Sequence, residues 1–177
     1  KEKLHQPITL IGMMGVGKTR LARVLAQALD LDLVDCDAEI EKAAAMEIKD
    51  IFEKYGEPYF RDGERRVIQR LIDGTPKVIS TGGGAVMTPE TAELVFGETL
   101  SIWIHADIDV MAARTGGSDK RPLLNSGDHK EILQKLMETR YPVYSRADID
   151  IESDDRPVKH HLDTMIDKLD TYLSAQG

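Results

Sequence analysis

Gly12-Met13-Met14-Gly15-Val16-Gly17-Lys18-Thr19 carries a glycine, four free positions and then Gly-Lys-Thr, the template of a phosphate-binding loop. The template has a mechanism. Backbone N–H groups must converge on an anionic phosphate, and glycines at 12, 15 and 17 let the backbone take φ/ψ values closed to other residues and come close. Lys18 supplies a positive charge for the outer phosphates, and the Thr19 hydroxyl can ligate Mg²⁺. The flanks agree. Ile8 to Ile11 is an apolar run of strand length, and Arg20 to Leu29 places Leu21, Ala22, Val24, Leu25, Ala28 and Leu29 at helical spacing. A loop joining strand to helix also gains the partial positive charge of the helix N-terminus. An accidental glycine-rich turn is the bland alternative, and average usage gives one in roughly a few hundred chains of this length.

Moving outward, 177 residues suit one domain with a real core. The formal charge of −8 argues against general nucleic-acid binding, while a local arginine cluster can still hold an anionic small molecule. Cys36 is the only cysteine, so no intrachain disulfide can form and a reducing compartment is the simple inference. It follows a strand-like run and is expected as a small buried residue rather than a reactive thiol. No stretch approaches the roughly 20 apolar residues of a membrane span, and the opening Lys-Glu-Lys-Leu-His lacks a secretory apolar region. A cytoplasmic monomer without a membrane partner is the expectation.

Further along, Leu31 to Val34 reads as a second strand ending at Asp35-Cys36-Asp37, and ligands of open α/β sheets bind at that edge. Helices are predicted over Ala38 to Ala45, Ile48 to Tyr55 and Glu57 to Ile72, the last opening with Pro58. Lys77 to Ser80 is the third strand and runs into Thr81-Gly82-Gly83-Gly84, where three glycines suggest a backbone close to a ligand or another segment. Thr88-Pro89-Glu90 starts a helix with Thr88 as its cap. Thr99 to Ile104 and Ile149 to Ile151 are the remaining strands. Asp107 to Arg114, His129 to Arg140 and Pro157 to Leu173 are helical, and the polar stretch Thr115 to Asp128 is expected as a functional loop. Strands alternating with helices imply a five-stranded parallel sheet covered on both faces, hence one three-layer α/β domain.

Asp35 and Asp37 lie two apart, so in an extended segment both carboxylates face one way, one toward Mg²⁺ and one toward a substrate hydroxyl. A solvated acidic strand end or a helix cap is the bland alternative. Arg61, in the charged run Arg61-Asp62-Gly63-Glu64-Arg65-Arg66, and Arg140 both read by default as solvated helix residues. Phe52 and Phe60 read as core, Trp103 as core, and His160 and His161 as surface residues without a metal-ligand partner.

The ensemble resembles the shikimate kinases. Gly12 to Thr19, Asp35-Cys36-Asp37, Ile51-Phe52 with Gly56-Glu57 and Phe60-Arg61, Gly82 to Val86, Arg114-Thr115 with Arg121-Pro122-Leu123-Leu124, and Arg140 with Tyr144 come in that family's order at compatible spacing. The resemblance covers about residues 8 to 156. It implies a P-loop NTPase-type fold with a mobile lid over about 113–126, a substrate-binding region over about 35–62, and transfer of a phosphoryl group from ATP to the 3-hydroxyl of shikimate.

By that resemblance Asp37 accepts the hydroxyl proton and Asp35 lies toward the metal with Thr19. Gly12, Met14, Gly15, Val16, Gly17 and Lys18 surround the nucleotide phosphates, Arg121 reaches those phosphates as a catalytic group beside Lys18, and Arg114 and Arg156 flank the adenine. Arg61 and Arg140 hold the shikimate carboxylate, and Gly82, Gly83 and Gly84 offer backbone to the substrate. Planar guanidinium forks match a carboxylate with two parallel hydrogen bonds. The stretch Gly116 to Lys120 carries one arginine fewer than many members show. A gluconate-kinase-like enzyme is the nearest alternative, and a nucleotide-dependent switch a more distant one, disfavoured by the missing Asn-Lys-x-Asp guanine motif.

Overall fold

Ile8–Ile11 forms β1, with every side chain buried, as an apolar run flanked by strands on both sides requires. The computed structural model describes residues 4–116 and 129–177. Around β1 are built Leu33–Asp35 (β2), Val78–Ser80 (β3), Leu100–His105 (β4) and Ile149–Glu152 (β5). Their order is β2-β3-β1-β4-β5, and every pairing is parallel. Asp35 stands opposite Ser80, Ser80 opposite Leu10, and Ile11 opposite Trp103. The carboxyl ends of β1, β2 and β3 therefore finish level, and the segments that follow them meet along one edge.

The helices are α1 (Lys18–Leu29), α2 (Cys36–Ala44), α3 (Ile48–Tyr55), α4 (Glu57–Leu71), α5 (Pro89–Glu98), α6 (Ile108–Thr115), α7 (His129–Tyr144) and α8 (Val158–Gln176). The main core joins the sheet to α1, α5, α7 and α8 through Leu21, Leu25, Val95, Leu133 and Met165. A smaller core of Ile40, Ile51, Phe60 and Val67 holds α2, α3 and α4 together. Phe52 and Phe60 belong there as expected, ring centroids 4.7 Å apart. Cys36 is fully buried, and burial pushes its thiol pKa far up, so it is the inert residue its position suggests. Among the described residues, no helix is long and apolar enough to cross a membrane.

Beyond shifts of a residue or two at element ends, β2, α7 and His161 depart from the sequence expectations. β2 starts at Leu33 rather than Leu31, because Asp30 takes a left-handed φ of 52° and the amides of Asp30 and Leu31 close the end of α1 on Gln27 and Ala26. α7 runs on past Arg140 to Tyr144 with Pro142 inside it. The buried Tyr144 ring, in reach of Tyr141 and Trp103, anchors that last turn. His161 is not a surface residue but 4% exposed, its Nε2 within 3.3 Å of the Asp154 carbonyl. Thr88 does precede α5, though its side chain makes no capping hydrogen bond.

Candidate active site

The phosphate loop leaves the central strand with Gly12 at φ 148°, Gly15 at 81° and Gly17 at 87°. At Gly12 the requirement is absolute, since a Cβ there would sit 2.2 Å from the Ile104 carbonyl oxygen of neighbouring β4. Met13 and Val16 are buried beneath the loop, and Met14 is half-buried. Gly17 stands at the N-cap of α1, whose first turn carries no acidic residue to offset the helix dipole. Lys18 Nζ donates to the carbonyls of Gly12 at 2.6 Å and Met13 at 3.0 Å, so its ammonium lies across the loop's mouth. Thr19 is exposed one residue further on.

At the next strand end the chain has already turned. Asp35 is the N-cap of α2, its Oδ1 accepting from the amides of Asp37 at 2.9 Å and Ala38 at 3.3 Å. The two carboxylates thus do not share a strand face: Asp35 closes a helix and Asp37 stands in its first turn. Burial, and secondarily the Asp35 charge, raises the Asp37 pKa, while Lys18 and Arg61 pull against it. That electrostatic reach places Asp37 between the phosphate loop and α4. Its Oδ1 would lie 3.1 Å from a Cβ built on Gly82.

Two guanidinium groups close the same space. Arg61 on α4 donates from Nη1 to Glu64 Oε1 at 2.8 Å, and its guanidinium lies 5.1 Å from the centre of the Phe60 ring. A Cβ on Gly84 would come within 2.3 Å of Arg61 Nη2, and one on Gly83 within 2.8 Å of Arg140 Nη1. The glycine run therefore exists to admit two arginines. Arg140 is only 5% exposed, its Nη1 contacts Met13 Sδ at 3.9 Å, and among the described residues no carboxylate lies within ion-pair distance of it. An arginine buried in that way is costly unless an anion joins it.

Glu64 is the residue that sequence reasoning missed. It is 1% exposed, one oxygen taken by Arg61 and the other, Oε2, without a hydrogen-bond partner among the described residues. Burial raises its pKa, Asp37 adds to that, and Arg61 and Arg140 oppose it. Oε2 would lie 3.4 Å from a Cβ on Gly82, on the same side as Asp37. The signal was present. Glu64 stands four residues after Phe60 and three before Val67, on the apolar stripe of α4 rather than its charged face.

On the other flank of the loop, Arg114 reaches Gly15 O at 3.3 Å, Ser153 Oγ at 3.4 Å and, through Nη2, Asp154 O at 3.4 Å. It bridges the phosphate loop to the turn after β5. Arg156 instead folds onto its own neighbour, pairing with Asp154 at 2.5 Å on an exposed surface, and that pairing holds the Asp154 carboxyl well below its usual range. Arg121, Lys120 and the lid residues from 117 onward lie outside the described residues. The structure gathers Gly12 to Thr19, Asp35, Asp37, Arg61, Gly82 to Gly84 and Arg140 at one sheet edge, with Arg114 beside them.

Comparison with known proteins follows the same line. The family model described as shikimate kinase matches residues 14–170. A shikimate kinase of Paramagnetospirillum magneticum is 47% identical over 174 residues, covering 98% of this chain and 89% of that protein. A shikimate kinase from Acinetobacter baumannii, solved in complex with shikimate, superposes with a TM-score of 0.90 at 29% identity, covering 96% of this chain and 95% of the other. The enzyme from Aquifex aeolicus gives 0.81 at 33% identity, with 93% and 96% covered.

Proposed function

The chain belongs to the shikimate kinase family, and we propose that it transfers the γ-phosphoryl group of ATP to the 3-hydroxyl of shikimate, releasing ADP and shikimate 3-phosphate. The observation that carries the acceptor half of this reading is Arg140, buried without a carboxylate among the described residues and facing the same glycine run as Arg61. An acidic acceptor supplies the missing anion, and two guanidinium forks suit its carboxylate.

In this scheme the amides of Gly12 to Lys18 and the Lys18 ammonium hold the phosphates in line with the acceptor hydroxyl. The hydroxyl oxygen attacks the γ-phosphorus, the bond to the β,γ-bridging oxygen breaks, and its electron pair leaves with ADP. The hydroxyl proton passes to the Asp37 carboxylate, whose raised pKa makes it a better acceptor than a solvated aspartate. Glu64 Oε2 is placed to take a second acceptor hydroxyl. Arg121 is assigned to the developing charge, and Arg114 and Arg156 to the base end. We further assign residues 35–62 to acceptor binding and 113–126 to a lid that excludes water.

Thr19 and Asp35 are the residues that would hold Mg²⁺, which when bound with ATP would offset the negative charge of the phosphates. The donor set fits. Among the described residues no group of three or more His, Cys, Asp or Glu could hold a metal ion unaided, so such an ion would take its other ligands from phosphate and water.

A coupled ADP-release assay over a panel of hydroxy-acids and polyols tests the function. Turnover with shikimate and none with gluconate is the expected result. Turnover with another acid and none with shikimate would remove the assignment of Arg61 and Arg140.

A further inference from the structure

Tyr144 ends α7, one turn after Arg140 and on the same face, and its side chain is fully buried. Its hydroxyl donates to the carbonyl oxygen of Gly83. That bond completes a set. The Gly82 carbonyl accepts from the Ala85 amide at 3.2 Å and the Gly84 carbonyl from the Met87 amide at 3.1 Å, within the 3₁₀ turn Ala85–Met87. Of the three glycine carbonyls, only that of Gly83 takes a hydrogen bond from a side chain among the described residues. Three successive glycines have the widest backbone freedom a chain can offer, and a planar peptide is aimed by whatever holds its oxygen.

The peptide in question joins the two residues against which the arginines lie, Arg140 on Gly83 and Arg61 on Gly84. Tyr144 and Arg140 thus meet at Gly83, the phenol on its carbonyl and the guanidinium within 2.8 Å of where a Cβ would stand.

We infer that Tyr144 is a positioning residue for the acceptor site: its hydroxyl fixes the Gly83–Gly84 peptide, against which Arg140 and Arg61 lie, and so sets the spacing of the two guanidinium groups that receive the substrate carboxylate. The inference rests on Arg61 and Arg140 being that carboxylate clamp. Burial pushes the phenol pKa up to about 12, with the Arg140 charge opposing, so it remains a donor throughout the working pH range.

The test compares Tyr144→Phe with Tyr141→Phe, the latter removing a buried hydroxyl that has no partner among the described residues. Each variant is assayed with shikimate and with shikimate methyl ester, which lacks the charged carboxylate. Tyr144→Phe should raise KM for shikimate about 5- to 20-fold while leaving kcat and the KM for ATP within about twofold. The preference for shikimate over its ester should narrow by the same factor. Tyr141→Phe should leave all of these unchanged.

A Tyr144→Phe enzyme that keeps the full preference, or loses affinity for ATP and shikimate equally, overturns the inference. A wild-type enzyme that treats acid and ester alike overturns the clamp itself, and the two failures are thereby told apart. Should Tyr144→Phe not fold, 3,5-difluorotyrosine at this position keeps the ring and the donor but ionises at lower pH. KM for shikimate should then rise with pH as the phenolate forms while KM for ATP stays level, and a flat profile overturns the inference.

Discussion

Asp37 and Glu64 show how much a single side chain's surroundings decide. Both carboxyls are pushed toward higher pKa, chiefly by burial. For a carboxyl raised on folding, the native state binds the proton more readily than the unfolded chain, so stability falls as pH climbs from the unfolded value through the raised one. Asp37→Asn removes that cost. It should lower kcat by about two orders of magnitude or more, leave ATP affinity nearly unchanged and hold or raise the melting temperature at neutral pH; an unchanged kcat would remove Asp37 from proton transfer. The same displacement puts the acid limb of kcat/KM above the range of a solvated aspartate, measurable as a pH–rate profile. Glu64→Gln keeps a partner for Arg61 without its charge, and should raise KM for shikimate about tenfold with ATP binding unaffected. Asp37 was legible in the sequence because it stands two residues from Asp35 at a strand end. Glu64 was hidden in a run of charges whose spacing, rather than composition, held the information.

Among the elements, strand ends and helix starts were legible because glycine, proline and apolar period punctuate them. What could not be read was where a helix stops, and which of the readings weighed at Asp35-Cys36-Asp37, a shared strand face or a helix cap, would hold; the cap does. Asp35 closes α2 and so cannot line up with Asp37 along a strand, and α7 passes through Pro142 because Tyr144 is buried beyond it. The glycines of the two loops separate into kinds that substitution distinguishes. In Gly12→Ala the new methyl meets the backbone of Ile104 at a φ of 148°, and neither can yield. That variant should lose about 2–4 kcal/mol in urea unfolding together with nucleotide binding. In Gly84→Ala the methyl meets the far end of Arg61, which can swing away. It should unfold nearly as wild type yet show a KM for shikimate raised several-fold, read by steady-state kinetics. Equal unfolding midpoints for the two variants would contradict this division.

For the whole molecule, net charge misleads. In a chain of formal charge −8, Lys18, Arg61, Arg114 and Arg140 are gathered at one edge of the sheet, where Asp35, Asp37 and Glu64 offset them only in part. Linkage makes that measurable. At 100 times its Kd, shikimate alone should stabilise the fold by about 2.7 kcal/mol, seen as a rise in thermal midpoint, whereas a pure nucleotide switch would give no shift. The parallel order β2-β3-β1-β4-β5 has a consequence of another kind, for how the protein is made. β1 precedes both of its partners in the chain, and each returns to it only after a long excursion through helices. During synthesis Ile8, Leu10 and Ile11, with Thr9 among them, emerge before either partner strand and stay unpaired until β3 and β4 have been translated. The strand that carries the phosphate loop is thus made well before it can be enclosed, and the growing chain is open to aggregation or chaperone capture at the segment its chemistry depends on.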